Sequence, residues 1–147
     1  MKRSQRLNPV VELTTKAVKE ALAKVGEANA NWTTDKLQLD DLMRYKAEYL
    51  ARFRQDELRV TPIKKVMELR AFLVQLDQAI AVQQAQVKQS LAILHQQQAE
   101  WRTVRVKEKA VQSLVERYQQ QELALALKQE QADADEYNIT SWHLKPR

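Results

Sequence analysis

Two apolar heptad series run through nearly the whole chain, and they restrict its fold more than any other feature. Counting by sevens from Val11 gives Val11, Val18, Val25, Trp32, Leu39, Lys46 and Phe53, a series (a) in which only Lys46 is polar. Its companion (d) is Thr14, Ala21, Ala28, Asp35, Leu42, Tyr49 and Asp56, smaller and more mixed, with Leu22, Met43 and Leu50 widening the stripe at e. Further on, Val66, Leu73, Ile80, Val87, Leu94, Trp101, Glu108, Val115 and Glu122 form a second a series. Leu69, Leu76, Gln83, Ser90, Gln97, Val104, Val111, Tyr118 and Leu125 form its d series. A 3.5-residue apolar period sustained over this length is the signature of helices that bury their seams against other helices.

Composition agrees. One Gly in 147 residues leaves few turns, and the abundant Ala, Leu, Gln, Glu, Lys and Arg lose little rotamer freedom in a helix. The chain is expected to be all-α. Asn8 before Pro9, and Thr61 before Pro62, read as helix starts, because Pro at the first helical position gives up an N–H that has no partner there. The residue before each Pro is pushed away from helical geometry. The expected organisation is one elongated coiled-coil domain over 1–147: a helix at about 9–57, a turn at about 58–61, a helix at about 62–137 and a flexible tail over 138–147.

A fold-back at Thr61 pairs residues whose numbers sum to about 122, which sets a against d. Trp32 then faces Ser90, Ala28 faces Leu94, Ala21 faces Trp101, Tyr49 faces Leu73 and Val18 faces Val104. Large residues meet small ones, as interdigitated packing requires. The fold expected is therefore a two-helix antiparallel coiled-coil hairpin. Its arms are unequal: Pro9 falls opposite residue 113, so the second helix overhangs from 114 to 137 by roughly 36 Å at ~1.5 Å per residue. The overhang carries Val115, Tyr118, Leu123, Leu125 and Leu127, apolar side chains that call for a cover. Asp133, Asp135 and Glu136 oppose the helix dipole at its end and favour fraying.

Little in the chain could do chemistry. The absence of Cys removes disulfides, thiolate catalysis and Cys-ligated zinc. The one glycine, Gly26, lies inside the first helix and cannot build a phosphate loop; it reads as a close-packing or slightly flexible point. His95 sits at the solvent-facing b position and His143 in the tail, so their spacing makes no metal pair. Carboxylates are scattered on exposed faces. An enzyme is not expected, nor is a cofactor or metal. The basic start Met1 to Arg6 is interrupted by Asn8, Pro9 and Glu12 before a signal-peptide core could form, and no run approaches ~18 apolar residues. Asn138, Ile139 and Thr140 match a glycosylation sequon, taken as chance without a secretory signal.

Two surfaces stand out. Tyr45 in the first helix and Phe72, Ala79 and Ile93 in the second occupy g positions that coiled coils usually give to charged residues. Gln38, Leu42, Tyr45 and Tyr49 thus form one stripe, and Phe72, Leu76, Ala79 and Gln83 its counterpart, a candidate partner site or else a locally wide core. The net charge is +5, which points to an anionic partner without choosing among nucleic acid, membrane and acidic protein. Positive charge is concentrated at the open end of the hairpin, in Lys16, Lys19, Lys24, Arg102, Arg105, Lys107 and Lys109, with Lys2, Arg3 and Arg6 nearby. Arg52, Arg54, Arg59, Lys64 and Lys65 surround the turn. Between Ala71 and Ala99 only Asp77 and Lys88 are charged.

Gln38 with Leu42, Tyr45, Glu48 and Tyr49, followed by Phe72, Leu76, Ala79 and Ile80, resembles the pattern of the FliJ family. Gly26-Glu27, Trp101-Arg102, Leu114 with Glu116-Arg117, and Asp135-Glu136-Tyr137 also resemble it, with Tyr137 where Phe is common. The resemblance spans nearly the whole chain. It implies a non-enzymatic component of the flagellar type III protein export apparatus, cytoplasmic and peripherally associated with the inner-membrane export gate, and needed for motility. In that role the paired ends of the coil insert into the hexameric export ATPase FliI and promote its assembly and ATP hydrolysis. The turn-proximal half contacts the gate protein FlhA, and export chaperones are escorted.

The family's gate-binding positions carry over to Gln38, Leu42, Tyr45, Tyr49, Phe72, Leu76, Ala79 and Gln83, the last standing where His is familiar. Gln retains a hydrogen-bond donor there. The ATPase contact is read from the overhang and the basic end rather than from a motif. Val115, Tyr118, Leu123 and Leu125 would supply apolar contact, and Lys16, Lys19, Arg102 and Arg105 would meet acidic loops. The rivals are an injectisome stalk protein of the same shape, and a basic coiled coil on nucleic acid or anionic membrane. The second would need a forked basic region before a parallel zipper, which the chain lacks.

Overall fold

The computed structural model describes residues 1–56 and 62–144, with the side chains at 56, 143 and 144 left aside. A short helix α1 (Arg3–Arg6) is followed by two long ones, α2 (Asn8–Asp56) and α3 (Ile63–Leu144), and no strand occurs among the described residues. The long helices run antiparallel and bury the heptad seam that the sequence spells out. In α3 the a and d positions from Val66 to Glu122 are all buried or half-buried, while most residues between them are exposed. In α2 the same holds from Val11 to Phe53. The most deeply buried apolar residues, Ala21, Ala28, Leu76, Ile80 and Leu94, all belong to these series. The all-α antiparallel hairpin expected from the period is the observed fold.

The helices extend beyond the expected ones at both ends of the chain. The first long helix begins at Asn8, within a residue of the expected start, but an unexpected turn of helix at Arg3–Arg6 precedes it, and the Val11 N–H reaches back to the Leu7 carbonyl at 2.9 Å. Pro9 has no N–H to give to the Gln5 carbonyl and its ring crowds that oxygen, which accounts for the break at Leu7. At the other end α3 runs on to Leu144, through the stretch 138–144 expected as a tail. The expected turn at 58–61, with Arg59 and Thr61, lies outside the described residues. Pro62 stands just before α3, and its carbonyl accepts the N–H groups of Lys65 and Val66 at 3.0 and 3.2 Å. Leu22 and Met43, expected to widen the seam, are 54% and 50% exposed, whereas Leu50 is half-buried.

Packing divides into two compact units. The middle unit is Glu20–Trp101, and the terminal unit joins Met1–Lys19 to the chain from Arg102 on. In the middle unit Lys46, the polar exception in its series, reaches Asp77 of α3 at 2.5 Å. Both partners are part-exposed, so this ion pair contributes at most about 1 kcal/mol; its use is to let a charged residue occupy a seam position. Gly26 is exposed, and a Cβ built on it would meet nothing within 4 Å. Close packing is therefore not the reason for a glycine there.

Candidate functional site: an aromatic edge, a polar layer and a docked N-terminus

In the middle unit the two stripes come together around Phe72. Its ring lies between two tyrosines of α2: Tyr49 with centroids 4.7 Å apart and a tilt of 47°, and Tyr45 with centroids 6.1 Å apart and planes at 77°. Both spacings fall in the range where the positive edge of one ring meets the negative face of another. Tyr45 stays 49% exposed. The rest of the expected stripe separates by depth. Leu76 is buried at 6%, Leu42, Tyr49, Phe72 and Gln83 are half-buried, and Gln38, Tyr45 and Ala79 are exposed. The surface edge is thus narrower than eight residues, with Tyr45 at its centre and Phe72 supporting it from behind.

Gln83 closes that edge on one side. Its amide donates to the Asp35 carbonyl at 2.9 Å and to Gln38 Oε1 at 3.3 Å, so it ties two turns of α2 to α3. Next to it lies a polar layer that the heptad reading did not anticipate. The Ser90 hydroxyl donates to the Asp35 carboxylate and lies 3.0 Å from the Gln86 carbonyl, while Gln86 Nε2 stands 3.4 Å from the same carboxylate. Ser90 is 5% exposed. A cleft of about 280 Å³ opens beside them, lined by Ala28, Asn31, Thr34, Asp35, Gln86, Ser90 and Ile93. The available signal was the coincidence of two polar d residues, Asp35 and Ser90, close to one another in the fold-back.

Trp32 flanks this region. Its indole nitrogen is buried without a hydrogen-bond partner among the described residues, and the Lys36 ammonium lies 4.5 Å from the ring centroid. A cation over an indole face is worth about 0.5–1 kcal/mol at an exposed site.

In the terminal unit the structure corrects the expected length of the overhang. Val115 and Tyr118 are half-buried, and the chain before Asn8 reaches Tyr118 and Glu122. Glu122 takes two hydrogen bonds from Ser4, one from its backbone N–H at 3.0 Å and one from its hydroxyl at 2.7 Å. Ser4 is 6% exposed, and the Arg3 guanidinium lies 5.8 Å from the Tyr118 ring centroid. Counting back by seven from Val11 and Thr14 gives Ser4 and Leu7, so the seam continues into the N-terminus. The Glu122 carboxyl is held below its ordinary value, chiefly by the Ser4 hydroxyl, then by the Ser4 N–H, against burial, with help from the Lys2 charge.

Beyond this contact α3 is bare. Every residue from Leu123 to Thr140 is exposed, including Leu123 at 62%, Leu125 at 67% and Leu127 at 56%. Lys16, Lys19, Arg102 and Arg105 are exposed in the same unit. Among the described residues no group of three or more His, Cys, Asp or Glu could hold a metal ion, and no helix is long and apolar enough to cross a membrane.

Neither curated proteins nor solved structures give a match to this chain. The description "Flagellar FliJ protein", by contrast, matches residues 2–147. That span takes in the aromatic edge, the polar layer and the terminal unit together, and the chain belongs to the flagellar FliJ family.

Proposed function

We propose that this chain is a non-catalytic stalk of the flagellar type III export apparatus, with two partner surfaces. The terminal unit engages the ring of the export ATPase FliI and promotes its assembly and turnover. The middle unit presents the Tyr45 edge to the cytoplasmic part of the gate protein FlhA, and the chain escorts export chaperones. Family membership over the whole length supports the role.

The observation that carries the gate site is Tyr45. A large aromatic side chain at a g position, 49% exposed and braced by Phe72, is the kind of rigid amphipathic anchor that dominates protein interfaces. For the ATPase contact, the exposed Leu123 and Leu125 supply apolar area that water would otherwise cover, and Lys16, Lys19, Arg102 and Arg105 supply positive charge in the same unit. Val115 and Tyr118 belong to this surface as its inner part.

The deciding experiment is a pull-down of purified FliI and of the FlhA cytoplasmic segment by the chain and its Tyr45→Ala and Phe72→Ala variants. Loss of the gate segment with retention of the ATPase is expected for both. Equal gate capture by all three proteins would remove the site assignment. Charge reversal at Arg102 and Arg105 tests the other end: ATPase stimulation should fall, and should fall further as salt screens the remaining charge.

A further inference from the structure

The contact between the first seven residues and α3 has the construction of a latch. α1 is only four residues long and is separated from α2 by the break at Leu7, where Pro9 cannot complete the helical ladder. A segment so short has no helical stability of its own, since nucleating a helix costs more than one turn returns. What ties it to α3 is two hydrogen bonds from Ser4 to one carboxylate and a cation over the Tyr118 ring, with Leu7 half-buried where the segment joins α2. Lys2 and Arg3 wall a shallow cavity of about 380 Å³ whose other side is Tyr118, Gln121, Glu122 and Leu125. The docked segment thus ends where the bare face of α3 begins.

From this we infer that Met1–Leu7 is a detachable latch covering the inner part of the α3 end, and that a partner occupying that part must first displace it. The proposal rests on the reading of Tyr118 as part of the ATPase surface, and it adds regulation to that surface. Closed, the latch leaves only Leu123, Leu125 and their neighbours for first contact. Open, it frees Tyr118 and the Glu122 carboxylate together. A partner that takes Tyr118 therefore also bears the cost of opening, and its apparent affinity is lowered by the fraction of chains that are open.

The chain has no cysteine, so Ser4→Cys with Glu122→Cys gives a single engineered pair that can be closed by oxidation and opened by reductant. The full-length double variant, oxidised and reduced, and a chain lacking Met1–Leu7 are compared for binding to purified FliI. Oxidation should weaken binding at least about tenfold, reduction should restore it, and the truncated chain should bind at least as tightly as the native one. Equal binding by oxidised and reduced forms overturns the latch and makes the segment a fixed extension of the coil.

A second measurement needs no partner. The Ser4 amide should exchange with solvent through local opening far faster than the amide of buried Leu94, and Glu122→Ala should speed it further. Protection of Ser4 equal to that of Leu94 overturns the latch. Failure of every form to bind FliI, with fast Ser4 exchange, would instead overturn the ATPase reading and leave the latch standing.

Discussion

Ser90, a buried residue of α3, gives its hydroxyl hydrogen bond to the carboxylate of Asp35 on α2, and this joins two polar seam positions across the helix pair. Apolar seams tolerate sliding by whole heptads, because one Leu layer resembles the next. A matched polar pair favours one register, since a slip of one heptad replaces the short Ser90 hydroxyl by the longer amide of Gln83 or Gln97.

The first prediction follows from that asymmetry. Asp35→Leu alone should destabilise the hairpin by about 1 kcal/mol, because it removes the acceptor that Ser90 and Gln86 share and leaves the Ser90 hydroxyl only the Gln86 carbonyl. Asp35→Leu with Ser90→Ala should recover most of the loss or exceed the native stability, as apolar replacements of buried polar pairs often do. The cost should appear as register heterogeneity, read from distances between spin labels on α2 and α3. A less stable double variant with one sharp distance would show that the layer contributes stability and not register.

At the aromatic edge, stability and binding should separate. Phe72→Ala removes a half-buried ring and two ring contacts, and should cost about 2 kcal/mol in denaturant unfolding. Tyr45→Ala removes one contact from a side chain that is half in water, and should cost under about 1 kcal/mol. If Tyr45 is the gate anchor, its variant should lose as much gate affinity as Phe72→Ala despite the smaller effect on folding. Parallel losses in both measurements would mean that gate binding only follows stability.

The Glu122 carboxyl gives a pH signature. Its folded value is held below the ordinary one by the Ser4 hydroxyl and N–H, with Lys2 adding positive charge. A depressed carboxylate stabilises the docked form fully above the unperturbed glutamate value and loses that contribution as pH falls through the folded value. Docking of Met1–Leu7 should therefore be constant near neutrality and loosen only as pH falls below the ordinary glutamate range. Ser4 amide exchange, corrected for its intrinsic pH dependence, reads this directly. Glu122→Gln should abolish the acid dependence, and a variant that kept the native profile would place its origin elsewhere.

Most of the fold was legible because one period carried it. From Val66 to Glu122 each a and d residue named from the sequence is buried or half-buried, and the observed contacts Tyr49–Phe72 and Lys46–Asp77 fall within one residue of the expected register, which set Tyr49 against Leu73. Asn8-Pro9 marks where α2 begins, but a local start signal says nothing of the residues before it, where α1 packs on α3. Ser4 and Leu7 kept the period, but a polar Ser in series a drew no attention until Glu122 supplied its partner. The same holds for Asp35 and Ser90: periodicity identifies seam positions, and only the facing residue decides whether a polar group there is a defect or a hydrogen bond. The aromatic edge was legible as a stripe and not as a surface, since spacing alone gives no depth and Leu76 and Tyr45 differ mainly in depth.

Gly26 offers the last prediction and the simplest. Glycine in a helix interior gives up more backbone entropy than alanine on folding, by about 1 kcal/mol. The usual reason for keeping it is space. Here a Cβ would meet nothing within 4 Å, so alanine fits without moving any neighbour. Gly26→Ala should therefore stabilise the hairpin by about 0.5–1 kcal/mol in equilibrium unfolding, with an unchanged denaturant slope. A destabilised variant would show that α2 bends or opens at this position in a state other than the packed one. A stabilised variant with reduced export activity would place the value of Gly26 in that bending, because only a cost to function explains keeping a weaker residue where a stronger one fits.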